Sequence, residues 1–168
     1  MRALRKQGSQ DIQTITPRDL RVIGAALYWA EGYKWAEGYK RLQIRHGKER
    51  TYHPVALTNS DPRLIQIFLR FLRETCNVPE ESIHIDLRLF PHMSEKDIKN
   101  FWLKTTKIHE KNFGKTYYGV SKSSLGKRPY NRLPYGTVLI RVNNTQLFHT
   151  IMGWIEGVAR QGETPIAH

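Results

Sequence analysis

Apolar residues recur along this chain with two spacings, one typical of helices and the other typical of strands. The helical spacing is clearest in the segment 61–76, whose apolar stripe consists of Leu64, Ile65, Phe68, Leu69 and Leu72. Strict alternation is clearest in the segment 82–90, where Ile or Leu occupies every odd-numbered position from Ile83 to Leu89. Segments of both kinds follow one another along the chain, which predicts an α+β fold.

The full pattern predicts elements in the order α-β-β-α-β-α-(β)-β-α. Helices are predicted at 16–32, 61–76, 94–107 and 144–159. Strands are predicted at 41–46, 52–60, 82–90 and 136–144, with a further strand after residue 111. The first helix has a well-defined start, because Thr16 can cap it, Pro17 suits its first position and Asp19 completes a capping box.

The sheet is predicted to be antiparallel, with the helices on one face. The strands at 41–46 and 52–60 are interpreted as the two arms of a hairpin, with the residues HGKERT as its turn. The other face of such a sheet normally meets solvent, and here it would carry Arg, Lys, Gln, His and Thr side chains. A length of 168 residues favours one domain, predicted at 16–160 between a loose basic arm at 1–15 and a flexible tail at 161–168.

The chain is strongly basic, and the basic residues are unevenly distributed. Lys and Arg number 27 against 15 Asp and Glu, a net charge of +12. No acidic residue occurs between Glu110 and Glu156, a stretch that holds seven Lys or Arg and several Tyr. A surface that serves only solubility mixes the two signs, so this distribution favours a polyanion, and nucleic acid above all, as the partner.

Other classes of protein are less compatible with the composition. No run of about 20 apolar residues is present, and no basic amphipathic helix favours a membrane surface, so no membrane partner is expected. Cys76 is the single cysteine, which excludes an internal disulfide and predicts a packing role for that side chain. The histidines have no zinc-site spacing. A cytoplasmic protein is expected.

One short segment has a recognisable pattern. The residues GAALYWAEG at 24–32 place three small residues before an apolar stretch that ends in Glu31 and Gly32. This segment resembles the LAGLIDADG motif of the homing endonucleases of that name, with Trp29 in place of the motif's first acid. The order of elements that follows, over roughly 17–159, is similar to that of a divergent, single-motif bacterial branch of the same superfamily.

The resemblance implies a fold, an assembly and an activity. The fold would be the αββαβ(α)βα arrangement with a saddle-shaped antiparallel sheet. One motif per chain implies a homodimer, with an interface formed by Gly24, Ala25, Leu27 and Tyr28. The acid at the end of each motif helix would then bind a divalent cation, Mg²⁺ or another, for hydrolysis of phosphodiester bonds in double-stranded DNA.

The identity of that acid stays open, because WAEGYK occurs at 29–34 and again at 35–40. The metal ligand and catalytic acid is either Glu31 or Glu37, and Lys40 is a candidate for stabilising charge in the transition state. The residues expected to contact nucleic acid are Arg41, Gln43, Arg45, Lys48, Arg50, His84, Arg88, Lys115, Lys122, Lys127, Arg128, Arg132 and Arg141.

Two classes of function therefore compete. The first is a sequence-specific, metal-dependent DNA endonuclease. The second is a binding protein on the same fold that does not cleave, either a DNA-binding regulator or an intron-RNA maturase, for which RNA is the partner. The acid at the end of the motif favours the enzyme, whereas Trp29 at the position of the first acid favours the binding protein.

Overall fold

The fold is α+β, with four of its six described strands in one sheet. The computed structural model describes residues 1–33, 42–45, 48–51, 53–119 and 133–162. The helices are α1 Arg2–Asp11, α2 Pro17–Glu31, α3 Pro62–Arg70, α4 Glu95–Thr106 and α5 Thr145–Gly162. The strands are β1 Leu42–Arg45, β2 Lys48–Thr51, β3 Val55–Asn59, β4 Ile83–Leu89, β5 Phe113–Tyr118 and β6 Thr137–Val142. Each helix and strand predicted from the sequence therefore has a counterpart.

The main sheet is mixed, which corrects the prediction of an antiparallel sheet. Its strand order is β3-β6-β4-β5. β6 is antiparallel to both β3 and β4, but β5 runs parallel to β4. The reason lies in the connection between β4 and β5, because a helical crossover through α4 brings the chain back in its original direction.

The predicted hairpin is also corrected. β1 pairs with β2, from Leu42 opposite Thr51 to Arg45 opposite Lys48, in a separate two-stranded sheet. β2 lies in the segment that was interpreted as a turn. β3 pairs instead with β6, which lies far away in sequence. This pairing places Val55 and Leu57 beside apolar residues of the central strands, and both side chains are buried.

The core lies between the main sheet and helices α2 to α5. Alternate residues of β3, β4 and β6 belong to one cluster with the buried faces of these helices. Its largest fully buried side chains include Trp102, Tyr28, Phe68 and Phe71. Phe71 begins a π-helical turn, Phe71–Thr75, that continues α3. The burial of Ile83, Ile85, Leu87 and Leu89 confirms the predicted inward face of β4.

The described ends of the chain are both helical. Residues Arg2–Asp11 form a helix with no buried residue, where a loose arm was expected. At the other end α5 continues to Gly162, two residues beyond the predicted domain boundary at 160. The capping box of α2 is confirmed, since the Thr16 hydroxyl accepts from the Asp19 amide at 3.2 Å and the Thr16 amide donates to Asp19 Oδ2 at 3.0 Å. Within the described ranges, no helix has the length and apolar character needed to cross a bilayer.

Candidate nucleic-acid interface

The face of the main sheet opposite the core, called the open face below, holds several polar side chains together with Ala56 and Asp86, which are both buried. Because side chains alternate along a strand, the strand residues between the buried ones point to this open face. The pairing register aligns Ala56, Arg141 and His84 across β3, β6 and β4. The next open-face row holds Thr58, Leu139 and Asp86, followed on β6 and β4 by Thr137 and Arg88.

The charge of these four strands is almost entirely positive. Among the residues of β3, β4, β5 and β6, the basic side chains are His84, Arg88, Lys115 and Arg141. Asp86 is the single acid in the same four strands. Arg88 and Lys115 are exposed, and Tyr117, opposite Arg88 on the neighbouring strand, is 52 % exposed. An open sheet face with cations and an exposed aromatic ring is suited to phosphate and base contacts.

Asp86 and Arg141 form an ion pair near the middle of the open face. Arg141 Nη2 lies 3.6 Å from Asp86 Oδ2, and the aspartate side chain is 10 % exposed whereas the arginine side chain is 40 % exposed. On the other side of Asp86 lies Gly114 of β5. A Cβ atom at Gly114 would lie 2.2 Å from Asp86 Oδ1, so a glycine is required for the carboxylate to stay where it is.

Glu31 lies at the edge of the sheet, at the last residue of α2. The chain beyond it pairs with the outer edge of β3, since Gly32 bridges Leu57 and the Tyr33 amide donates to the Ala56 carbonyl at 2.7 Å. The Glu31 side chain is exposed and accepts a hydrogen bond from Asn59 Nδ2 at 3.3 Å. Its carboxylate is thus held at the end of β3 and open to solvent.

The residues predicted as a dimer interface point mostly inward. Gly24, Ala25 and Tyr28 are buried in the chain's own core, and only Leu27 of the predicted set is half-buried. Burial raises the pKa of the Tyr28 hydroxyl to about 12. The hydroxyl donates to the Tyr33 carbonyl at 3.0 Å. These three residues are therefore not available to a partner, because their own chain already covers them.

A different face of α2 is accessible. Val22 is 46 % exposed and Trp29 is 42 % exposed, with the small residue Ala26 exposed between them. Tyr33, just beyond the helix, is 59 % exposed. The spacing of Val22, Ala26 and Trp29 places them along one stripe of the helix, and Tyr33 lies in the extended chain just after it. α2 thus has one face in the core and a second apolar face at the surface.

Several of the predicted site residues lie outside the described ranges. Glu37, Lys40 and Arg41 lie outside the described residues, as do Lys122, Lys127, Arg128 and Arg132. The backbone places Gln43 and Arg45 on β1 and Lys48 and Arg50 on β2. Of the predicted contacts to nucleic acid, the main sheet brings together His84, Arg88, Lys115 and Arg141.

The described part of the chain offers few groups for metal or thiol chemistry. No group of three or more His, Cys, Asp or Glu side chains there could by itself hold a metal ion. Glu31 supplies one carboxylate. Burial raises the pKa of the Cys76 thiol to about 12, so this side chain stays protonated at neutral pH and is unsuited to nucleophilic chemistry.

Three residues of the site were missed by sequence reasoning. The sequence pattern assigns no role to Asp86, Gly114 or Asn59. The signal available for Asp86 was its isolation, as the single acid in strands that are otherwise basic. Its ion pair with Arg141 depends on which strands are neighbours, and the sequence pattern does not contain that information.

Comparison with protein-family models, curated proteins and solved structures gives no match for the chain.

Proposed function

We propose that this protein is a homodimeric, sequence-specific, divalent-metal-dependent DNA endonuclease of the LAGLIDADG type. The observation that carries the proposal is the open, cationic sheet face with an exposed carboxylate, Glu31, at its edge. B-DNA has a major groove wide enough to admit a β-ribbon, and its phosphates attract cationic side chains. The net charge of +12 supports a polyanionic substrate in the same way.

The chemistry would depend on Glu31 and a divalent cation. Mg²⁺ in phosphate-processing sites is usually bound by one or two carboxylates together with substrate phosphates and water, so a single exposed carboxylate per chain fits this ion. When bound, the cation would activate water and neutralise charge on the leaving oxygen. The Asn59 side-chain amide donates to Glu31 Oε2, and the carboxylate would bind the ion through its remaining lone pairs.

Two copies of the chain would complete the site. The exposed stripe of Val22, Ala26 and Trp29 on α2 offers a self-complementary surface, with small Ala26 allowing two helices to approach closely. In such a dimer each α2 ends in Glu31, and two carboxylates that approach one another are stabilised by a cation between them. In such a dimer the sheet face of each copy would stay free for DNA.

Substitution of Glu31 by Gln tests the catalytic part of the proposal. The protein would be incubated with a randomised duplex DNA library in Mg²⁺ or Ca²⁺, and both bound and cut molecules would be sequenced. We expect cut ends in Mg²⁺, and a loss of cutting by roughly 100-fold or more in Glu31→Gln with binding retained, because a lost metal ligand raises the barrier by several kcal/mol. Glu156→Gln, an exposed helical carboxylate on α5, is the matched control.

Each result has a definite meaning. Loss of cutting in Glu37→Gln but not in Glu31→Gln would assign the metal to the second repeat copy. Enriched sites without cutting in either metal would contradict the endonuclease and favour the DNA-binding regulator, for which Trp29 at the motif's first acid position is the supporting observation. Absence of any enriched duplex would contradict the DNA proposal and favour structured RNA, as in a maturase.

A further inference from the structure

The ion pair between Asp86 and Arg141 is placed where a DNA-binding sheet would meet the base edges. Arg141 lies on β6, a central strand, between Ala56 on one neighbour and His84 on the other. Cations at the rim of a groove-binding surface meet phosphates first, whereas side chains in its middle reach the floor of the groove. Arg141 is therefore in the position of a residue that contacts bases.

The carboxylate beside Arg141 also argues against a phosphate contact. Asp86 Oδ2 lies 3.6 Å from Arg141 Nη2, and its negative charge offsets the attraction of the guanidinium for a phosphate. Arg88 provides the contrast on the same face, since it is exposed and forms no ion pair with any residue in the described ranges. Of the two arginines, Arg88 is better suited to neutralise phosphate.

The carboxylate also restricts the orientation of the guanidinium. Arg141 Nε is buried and has no acceptor within the described part of the protein, and Nη2 faces Asp86, so this edge of the guanidinium is turned towards the sheet. The side chain is still 40 % exposed, which leaves its outer edge for a ligand. A guanidinium held in one orientation loses less conformational freedom when it binds a planar, two-acceptor group.

Gly114 completes the arrangement from the far side of Asp86. The carboxylate lies so close to the Gly114 backbone that a methyl group there would contact Oδ1 at 2.2 Å. Asp86 is thereby packed between β6 and β5, and its position is set by both neighbours. A larger residue at position 114 would displace Asp86 and so alter its contact with Arg141, although Gly114 and Arg141 lie on non-adjacent strands.

From this geometry we infer that Arg141 recognises a guanine in the major groove of duplex DNA, and that Asp86 is the positioning residue that makes the recognition specific. Guanine presents O6 and N7 as two adjacent acceptors, and a guanidinium matches them with two parallel hydrogen bonds. The inference rests on the proposed function in one respect, namely that the open sheet face binds duplex DNA. It adds which base is recognised and by which pair of residues.

The test measures base preference, which a merely structural role would not change. Full-length protein in Ca²⁺ selects duplexes from a randomised library, and affinities are then measured for the selected duplex and for its variants at each G·C pair. We expect one position at which the wild-type protein prefers guanine by about tenfold or more. Arg141→Ala should abolish the preference at that position and retain it at the others.

The positioning role is tested by two further substitutions. Asp86→Asn and Gly114→Ala should both reduce the guanine preference at the same position while the protein still binds the duplex. The matched controls are Arg88→Ala, which should weaken binding to all sequences alike, and Gly119→Ala, where an added methyl group meets nothing within 4 Å. Thermal unfolding of each variant verifies that it is folded.

The outcomes separate this inference from the function beneath it. If wild-type protein selects duplexes but Arg141→Ala weakens all sequences by the same factor, Arg141 binds phosphate and the inference is overturned while the proposed function stands. If Asp86→Asn and Gly114→Ala retain the full preference, the positioning role is overturned. If wild-type protein selects no duplex, both the inference and the proposed function are overturned.

Discussion

At the scale of single residues, Gly24 has a clear physical role in the core. A Cβ atom at Gly24 would lie 2.0 Å from Phe71 Cδ2, well inside contact distance. Phe71 is itself fully buried, and its ring lies 5.9 Å from that of Phe68 and 5.9 Å from that of Trp154. The ring is confined by its neighbours, so it has little room to move away from a larger residue at position 24. The small residue in the motif thus serves packing within one chain.

We therefore expect Gly24→Ala to destabilise the protein. Forcing an extra methyl group into a filled core costs typically about 1–3 kcal/mol, which exceeds the ~1 kcal/mol gained from the higher helix propensity of alanine. Urea unfolding followed by circular dichroism measures the change. Gly153→Ala on α5 is the matched control, because nothing lies within 4 Å of its added methyl group and a small stabilisation is expected. A fully stable Gly24→Ala protein would contradict the packing seen here.

At the scale of elements, one arginine links three parts of the chain. Arg73, in the π-helical turn after α3, donates to both carboxylate oxygens of Glu80 in the short 3₁₀ turn Glu80–Ser82. It also donates to the Thr106 carbonyl, at the end of α4, at 3.0 Å. The hydrogen bonds from Arg73 lower the pKa of the Glu80 carboxyl below its usual value of 4.5. The ionised pair thus connects the ends of α3 and α4 ahead of β4.

This pair predicts a specific dependence of stability on pH. Because the pKa of Glu80 is lower in the folded protein than in the unfolded chain, the stabilisation is fully present above about pH 4.5 and is lost as the pH falls through the folded value. Glu80→Gln should cost up to about 1 kcal/mol at pH 7, and this deficit should shrink towards pH 3. Urea unfolding at both values measures it.

Glu81→Gln is the control for this experiment. Glu81 is the neighbouring residue, is exposed, and takes part in no ion pair within the described ranges. Its substitution should leave the difference in stability between pH 7 and pH 3 nearly unchanged. An equal pH effect in both variants would mean that the contact between Arg73 and Glu80 has no particular weight, and that the acid sensitivity arises from general charge repulsion in a strongly basic protein.

At the scale of the whole molecule, the two surfaces that carry the proposed function lie on different sides of the same domain. The open sheet face is cationic, whereas the outer stripe of α2 is apolar. A second copy that packs against α2 would leave the open sheet face free for the nucleic acid. The burial of Gly24, Ala25 and Tyr28 moves the expected contact between copies to Val22, Ala26 and Trp29.

The dimer is tested by placing a charge on this stripe. Ala26→Glu should dissociate the dimer into folded monomers, because a carboxylate buried without a partner at the helix crossing is strongly unfavourable. Sedimentation velocity measures the mass, and circular dichroism verifies the fold. Asn100→Glu adds the same group to an exposed position on α4 and should leave the mass unchanged. A mass that is the same in wild-type protein and Ala26→Glu would contradict a dimer through α2.

The sequence by itself determined the local features of this protein. The basic composition is a property of the sequence alone. The apolar spacing of α3 and β4 and the capping box at Thr16 depend only on residues close together in the chain. Helices, strands and their inward faces could therefore be predicted from the sequence. It did not determine which strands are paired, since the alternation of β1 is compatible with any partner. The tertiary structure alone decided the mixed sheet and the inward direction of Gly24. It also decided the contact of Asp86 with Arg141 and Gly114, because residues distant in sequence meet only when non-local strand pairing brings them together.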